Sequence, residues 1–245
     1  MNCCICNKPI SGEYWFDLWD NKMCASHVDN DAADCASCLA FTRKEHVLPD
    51  GRVLCRVCFS TAIKRGDSVE QIKNTVVKQL NQVGFDDLRI QDISIEIVTA
   101  QKLAEMQKKP IDTQNKGLTL SNTQTEVSFG LFSGVNTNKN FKHDIYMLTH
   151  QTKMEFAGTL AHEMLHAWQV QNGIKMQPKM VEGFCNMGTY LMFISMPGSL
   201  SKVLLKSLHE SDDPIYGDGF REVFAMYEDL GWKDLIKNVK EKKIK

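Results

Sequence analysis

Two histidines four residues apart, in His162-Glu163-Met164-Leu165-His166, form the segment of this 245-residue chain most plainly suited to chemistry. The run from Phe156 to Trp168 is rich in helix formers, so both imidazoles share one helix face and can grip one metal ion. Glu163 projects beside them. A metal acidifies a water; the glutamate takes its proton and later passes it to a leaving amine. Ala161 and Ala167 leave room around the ligands. The plain alternative is a chance pattern whose histidines pack or face water.

A hydrolytic zinc needs a third protein ligand and an open position. Beyond His166 the helix can run to Asn172-Gly173, a stop signal, and Pro178 suits the start of a second helix. The outward run of six residues spans roughly 9 Å and the return from Pro178 roughly 6 Å, so an antiparallel return brings Glu182 to the histidines. Otherwise Glu182 only complements the positive helix N-terminus. No other carboxylate stands on that helix, which favours the ligand reading. The spacing resembles that of a zincin with glutamate as third ligand, a gluzincin. Tyr190, His209, Tyr216 and Tyr227 can each donate to a developing oxyanion, and Tyr216 and His209 are the two retained as stabiliser candidates. Each also reads as a structural residue. The run Lys142 to Thr149 stands where zincins place an edge strand that pairs with extended substrate. A strand buried in the sheet is the competing expectation.

Eight of the nine cysteines fall before residue 59, and seven of them with one histidine form four short-spaced pairs. The first block is Cys3, Cys6, Cys24 and His27; the second is Cys35, Cys38, Cys55 and Cys58. Each pair fits one tight turn. The gaps within blocks, 17 and 16 residues, suit tetrahedral zinc, for which about 15–20 is usual. Cys4 is spare, able to compete with Cys3 or simply to pack. So short a module has too small a core to stand alone, and metal supplies the missing folding energy. Sequential sites of this kind resemble a LIM domain, which implies protein binding without chemistry. Here Cys24 precedes His27, whereas LIM domains place the histidine first, and seven residues rather than two separate the blocks.

Other elements must hold these residues. Ser60 to Gly66 reads as a boundary; Asp67 or Ser68 can then cap a helix carrying Val69, Ile72, Val76, Val77 and Leu80, stopped by Gly84. Ile93, Ile95 and Ile97 alternate as in a half-buried strand. Ala100 to Lys109 suits a short helix. Glu126 to Phe132 and Lys142 to Thr149 are further strand candidates, joined by a polar turn-rich stretch from Ser133 to Asn140. The basic end, Lys237 to Lys245, reads as a solvated helix end. The expected fold class is α+β: a LIM-like double-zinc module over residues 1–62, then a zincin-like domain over 67–245 with a small sheet and a mainly helical C-terminal half.

Composition sets the outer bounds. With 43% hydrophobic residues, 15 Gly and 6 Pro the chain is globular rather than fibrous or disordered. A net charge of −1 supplies no field for nucleic acid or anionic lipid. No apolar run reaches the ~18 residues of a membrane span, and the start has no secretion-signal pattern. The expectation is a soluble cytoplasmic protein, with no nucleic acid and no membrane among its partners. Arg43, Lys44, Arg52 and Arg56 make only a modest basic cluster, offset by Asp29, Asp31 and Asp34.

Taken together, His162 to Trp168, Glu182-Gly183-Phe184-Cys185, Gly117 to Ser121 and Asp50 to Cys55 resemble the plant DA-one growth regulators, across essentially the whole chain. The resemblance implies a zinc-dependent endopeptidase joined to LIM-type modules and regulated through protein contacts. It carries over His162, His166 and Glu182 as metal ligands and Glu163 as base, with one catalytic and two structural zinc ions. The plant proteins have ubiquitin-interacting motifs ahead of the LIM region, and this chain starts at its first cysteines, so ubiquitin control is not carried over. A minimal, bacterial-type member is the expectation. Val181 stands where the plant proteins have an acidic residue. The implied partners are protein substrates, with further proteins held by the LIM-like module. The rival from another class is a non-catalytic adaptor on an inactive zincin scaffold. A zinc-ribbon nucleic-acid binder would need a salt dependence that the near-neutral charge does not suggest.

Overall fold

The computed structural model describes residues 1–67, 69–130 and 134–242. Its cysteine-rich N-terminal part is built from small antiparallel hairpins. Strand β1 (Tyr14–Phe16) pairs with β2 (Lys22–Cys24), β3 (Ala32–Asp34) with β4 (Phe41–Arg43), and β5 (His46–Val47) with β6 (Val53–Leu54), before the short helix α1 (Arg56–Thr61). Apolar burial here is slight. Cys3, Ile5, Met23 and Ala32 form one small cluster, and Cys35, Cys38, Leu48, Leu54 and Cys58 form the other. Asp17 ties the hairpins together, accepting from the backbone N–H groups of Trp19, Asn21 and Phe41. The Trp19 indole donates to the Cys38 carbonyl at 2.6 Å.

The rest of the chain is α2 (Glu70–Val83), β7 (Ile93–Val98), α3 (Ala100–Gln107), β8 (Gly117–Gly130), β9 (Gly134–Leu148), α4 (Lys153–Gln171), α5 (Pro178–Ser195), α6 (Ser199–His209) and α7 (Tyr216–Lys240). The fold is α+β, with hairpins at the N-terminus and a helical C-terminal half. Helix α4 is the core element. Thr152 and Glu155 close a capping box at its start, and Phe156, Leu160, Met164, Leu165 and Trp168 are fully buried. With twelve of its 19 residues buried, this helix is covered on most sides, by α2, α5 and the sheet. Glycines permit the close crossings. A Cβ on Gly188 would lie 3.0 Å from the Ala161 carbonyl carbon and oxygen, and one on Gly183 would lie 2.2 Å from the Gly219 oxygen. Helix α7 breaks at Gly231, where φ is 70°.

Several expectations change. The sheet order is β7-β9-β8, with β7 parallel and β8 antiparallel to β9. Lys142 to Leu148 is therefore central, and β7 and β8 are the edges. The polar stretch expected as a turn is paired strand: Gln124 lies opposite Asn140 and Gly130 opposite Gly134. Residues 121–125 and 139–140 are exposed, so backbone pairing rather than burial holds this part, and no period marks it in sequence. The ends of the two expected segments at residues 131–133 lie outside the described residues. Asp67 does not cap α2; its carboxylate accepts from the Lys64 N–H, and Val69 holds the cap position without a side-chain bond. Ser68, the alternative cap, is outside the described residues, as is the very end, 243–245. Arg43 and Arg52 of the modest basic cluster are paired, with Asp31 and Asp50, and Arg52 is buried. Among the described residues, no helix is long and apolar enough to cross a membrane.

Candidate metal centre

Helix α4 carries His162 and His166 one turn apart, and antiparallel α5 returns Glu182 to them. Their donor atoms form a nearly regular triangle. His162 Nε2 is 3.1 Å from His166 Nε2 and 3.1 Å from Glu182 Oε2, and His166 Nε2 is 3.4 Å from the same oxygen. Tetrahedral ligands about 2.0–2.1 Å from zinc stand about 3.3 Å from one another, so the triangle fits one face of such a site. Burial pushes the Glu182 carboxyl up, but its contacts with His162 and His166 outweigh that and bring it down to about 2. Burial lowers His166, yet Cys185, Glu182 and Glu163 prevail and raise it to about 12. The donor set thus attracts positive charge, and its chemistry fits a divalent cation.

Each imidazole has a partner on its other nitrogen. Asn186 Oδ1 accepts from His162 Nδ1 at 2.9 Å, and the Asn186 amide donates to the Tyr216 carbonyl at 3.0 Å. Cys185 Sγ lies 3.4 Å from His166 Nδ1, and burial pushes its thiol up. His162, His166 and Cys185 also make a compact Cys/His group. Cys185, however, sits at the nitrogen of His166 facing away from Glu182, so it orients the ring that the triangle uses. Neither Asn186 nor Cys185 stands out in the sequence as a site residue. Their position one turn beyond Glu182 on the same helix is the one signal that could have found them.

Glu163 is buried and leans on edge strand β8. Thr119 Oγ1 donates to its carboxylate at 2.7 Å and to its carbonyl at 3.0 Å. A Cβ at Gly117 would stand 2.5 Å from Glu163 Oε1, which shows how tightly β8 packs there. These residues line a cleft of about 1370 Å³ that also takes in His162, His166, Glu182 and Tyr216. The Tyr216 ring lies 6.3 Å from that of His162; though the residue is 44% exposed, partial burial with the nearby Glu182 and Glu163 charges pushes its phenol up to about 12. His209 is elsewhere: its ring packs edge-on against Phe220, Phe224 and Tyr190. Tyr190 and Tyr227 share that aromatic cluster. An imidazole among apolar rings is held by packing, so His209 is withdrawn as an oxyanion candidate.

The N-terminal cysteines form two four-residue groups, Cys3, Cys6, Cys24, His27 and Cys35, Cys38, Cys55, Cys58, each with its ligand atoms within 4.8 Å of one another. Cys38 and Cys55 sulfurs are 3.8 Å apart, as two thiolates about 2.3 Å from one zinc would be. Backbone N–H groups point at the sulfurs, from Ile5 and Cys24 to Cys3 and from Cys55 to Cys35. His27 Nδ1 bonds Asp31 at 2.7 Å, leaving Nε2 for the group; contacts with Cys6 and then Asp31 raise it to about 9. Cys4 is exposed and stays out of both groups. These are LIM-like metal-binding clusters.

Three curated plant proteins are similar to this chain. They are Protein DA1-related 7 of Arabidopsis thaliana (23% identical, covering 97% of this chain and 52% of that protein) and Protein DA1-related 2 of the same plant (26%, 71% and 37%). The third is LIM domain-containing protein HDR3 of Oryza sativa subsp. japonica (22%, 91% and 56%). The chain thus spans about half the length, or less, of the relatives it matches. No protein-family model and no solved structure matches it. The chain is similar, across nearly its whole length, to DA1-related and LIM domain proteins.

Proposed function

We propose that the chain is a zinc-dependent endopeptidase: a gluzincin-like domain over 67–245 joined to a LIM-like double-zinc module over 1–62 that recognises proteins or restrains the cleft. The observation that carries this reading is the triangle of His162, His166 and Glu182 donors with Glu163 beside it in one open cleft. Zinc held there would lower the pKa of a water and polarise a peptide carbonyl. Glu163 takes the proton from the attacking water and delivers it to the leaving amine. Thr119 and the Gly117 backbone hold its carboxylate still. Tyr216, kept as a neutral phenol, is the donor for the developing oxyanion. The exposed edge β8 offers backbone groups to an extended substrate, in the place first expected of β9. Two further zinc ions sit in the cysteine groups, a use of thiols that suits a reducing, cytoplasmic setting. Similarity to DA1-related and LIM domain proteins supports the combination.

Zinc per chain, measured in the parent and in His166→Ala, tests the reading with hydrolysis of a denatured protein by Glu163→Gln. Three ions falling to two, with Glu163→Gln keeping three and losing turnover, is the expected result. Two ions in both proteins would overturn it and favour the adaptor; full turnover by Glu163→Gln would overturn the role of Glu163 as base.

A further inference from the structure

The turn between Cys35 and Cys38 contains two residues, Ala36 and Ser37, and both reach across to the cleft. The Ser37 hydroxyl donates to the Glu155 carboxylate and lies 3.3 Å from Thr152 Oγ1. Lys116 Nζ donates to the other Glu155 oxygen and to the Ala36 carbonyl at 3.3 Å. Glu155 is 5% exposed and Ser37 only 2%, so this is a buried charged group whose two oxygens are satisfied by the knuckle turn and by β8's leading lysine. The Lys116 carbonyl is itself fixed, accepting from the Leu148 N–H at 2.9 Å and from Gln151 Nε2 at 3.0 Å. Gln151 Oε1 in turn accepts from Thr159 on α4. The residue after Lys116 is Gly117, which packs on Glu163 with no room for a side chain.

The geometry points to the Cys35–Cys38 turn as a positioning element of the cleft: through Ser37, Glu155 and Lys116 it holds the start of β8 against Glu163. This rests on the peptidase reading of the cleft. The location of the turn is set by its cysteines, since Cys35 Sγ accepts from the Cys55 N–H and the four sulfurs converge. Metal in that cluster therefore bears on the edge that aligns the proposed base, although no cysteine touches substrate. Independent ties keep the cysteine-rich part docked if the Ser37 hydroxyl is lost. Arg52 donates to the Thr149 carbonyl at 2.8 Å, and Ile63 exchanges backbone bonds with Gln151 and His150.

Ser37→Ala in the full chain is the test, because a residue so buried cannot contact substrate. The expected result is unchanged zinc content, kcat lowered about tenfold with KM unmoved, and faster amide hydrogen exchange at Gly117 to Leu120 but not in α7. Glu155→Gln, which keeps an acceptor for the cap but not the charge facing Lys116, should reproduce the same split. An active parent whose β8 exchange and kcat are unmoved by Ser37→Ala overturns the coupling. An inactive parent whose β8 exchange still rises in the variant overturns the peptidase reading instead, so the two failures are told apart.

Discussion

Asn186 fixes which nitrogen of His162 faces the cleft. Its amide nitrogen is committed to the Tyr216 carbonyl, so the oxygen must face His162 Nδ1, which therefore carries the proton. Nε2 is left with its lone pair toward His166 and Glu182. One side chain sets the tautomer of a proposed ligand and anchors the start of the helix that bears Tyr216.

Replacing Asn186 by Leu removes the acceptor while keeping size. Zinc affinity of the third site should fall about 10- to 100-fold, measured by chelator competition, with Asn186→Asp retaining most of it. Equal affinities for the Leu variant and parent would mean that the ring is oriented by packing alone.

Gly117→Ala inserts a methyl 2.5 Å from Glu163 Oε1 and 2.9 Å from Thr159 Cγ2. The overpacking should cost about 1–3 kcal/mol and turn the Glu163 carboxylate away. Three zinc ions with sharply reduced turnover are expected, from metal analysis beside a proteolysis assay.

Gly183→Ala strikes backbone rather than a yielding side chain, because α5 and α7 cross at Gly183 and Gly219. The helices must part, and Glu182 is the neighbouring residue. A loss of about 3 kcal/mol, seen in chemical denaturation, should come with loss of the third ion.

Asp87 accepts from the buried Trp168 indole at 2.8 Å and pairs with Lys240 at 2.8 Å. Burial raises its carboxyl, but the Lys240 and Trp168 bonds outweigh that and leave it below the usual range. A depressed carboxylate contributes stability above its unfolded pKa of about 4 and loses it as pH falls through the folded value. The stability gap between parent and Asp87→Asn should thus be full near neutrality and close below about pH 4. Asp87→Ala, which leaves the indole N–H unpaired, should cost about 1–3 kcal/mol at neutral pH.

Thiol titration counts the ligands. In the metal-loaded chain only Cys4, exposed and outside both groups, should react quickly. A strong chelator should release the seven cysteines of the two groups, while buried Cys185 reacts only on denaturation. Fast reaction of several thiols before chelation would contradict metal ligation.

Metal-ligand spacing is local, and local patterns survive in sequence. Each short cysteine pair fits within one turn, and His162, Glu163 and His166 share one helical turn, so their grouping is legible without knowing the fold. Glu182 needed only the length of one helix and the direction of the next. The rest depended on surfaces that meet across the chain. Which strand forms the sheet edge is decided by pairing at long range, and residues 121–125, exposed and held by backbone bonds, leave no period to read. His209 and Tyr216 look alike as donors in sequence; tertiary packing sends one among phenyl rings and the other to the cleft. Asn186, Cys185, Thr119 and Ser37 acquire their roles only when α4, α5, β8 and a cysteine turn converge. The amino-acid sequence determined the donors and their local spacing, and the tertiary structure alone decided which groups orient them, because those partners lie on other turns and other elements.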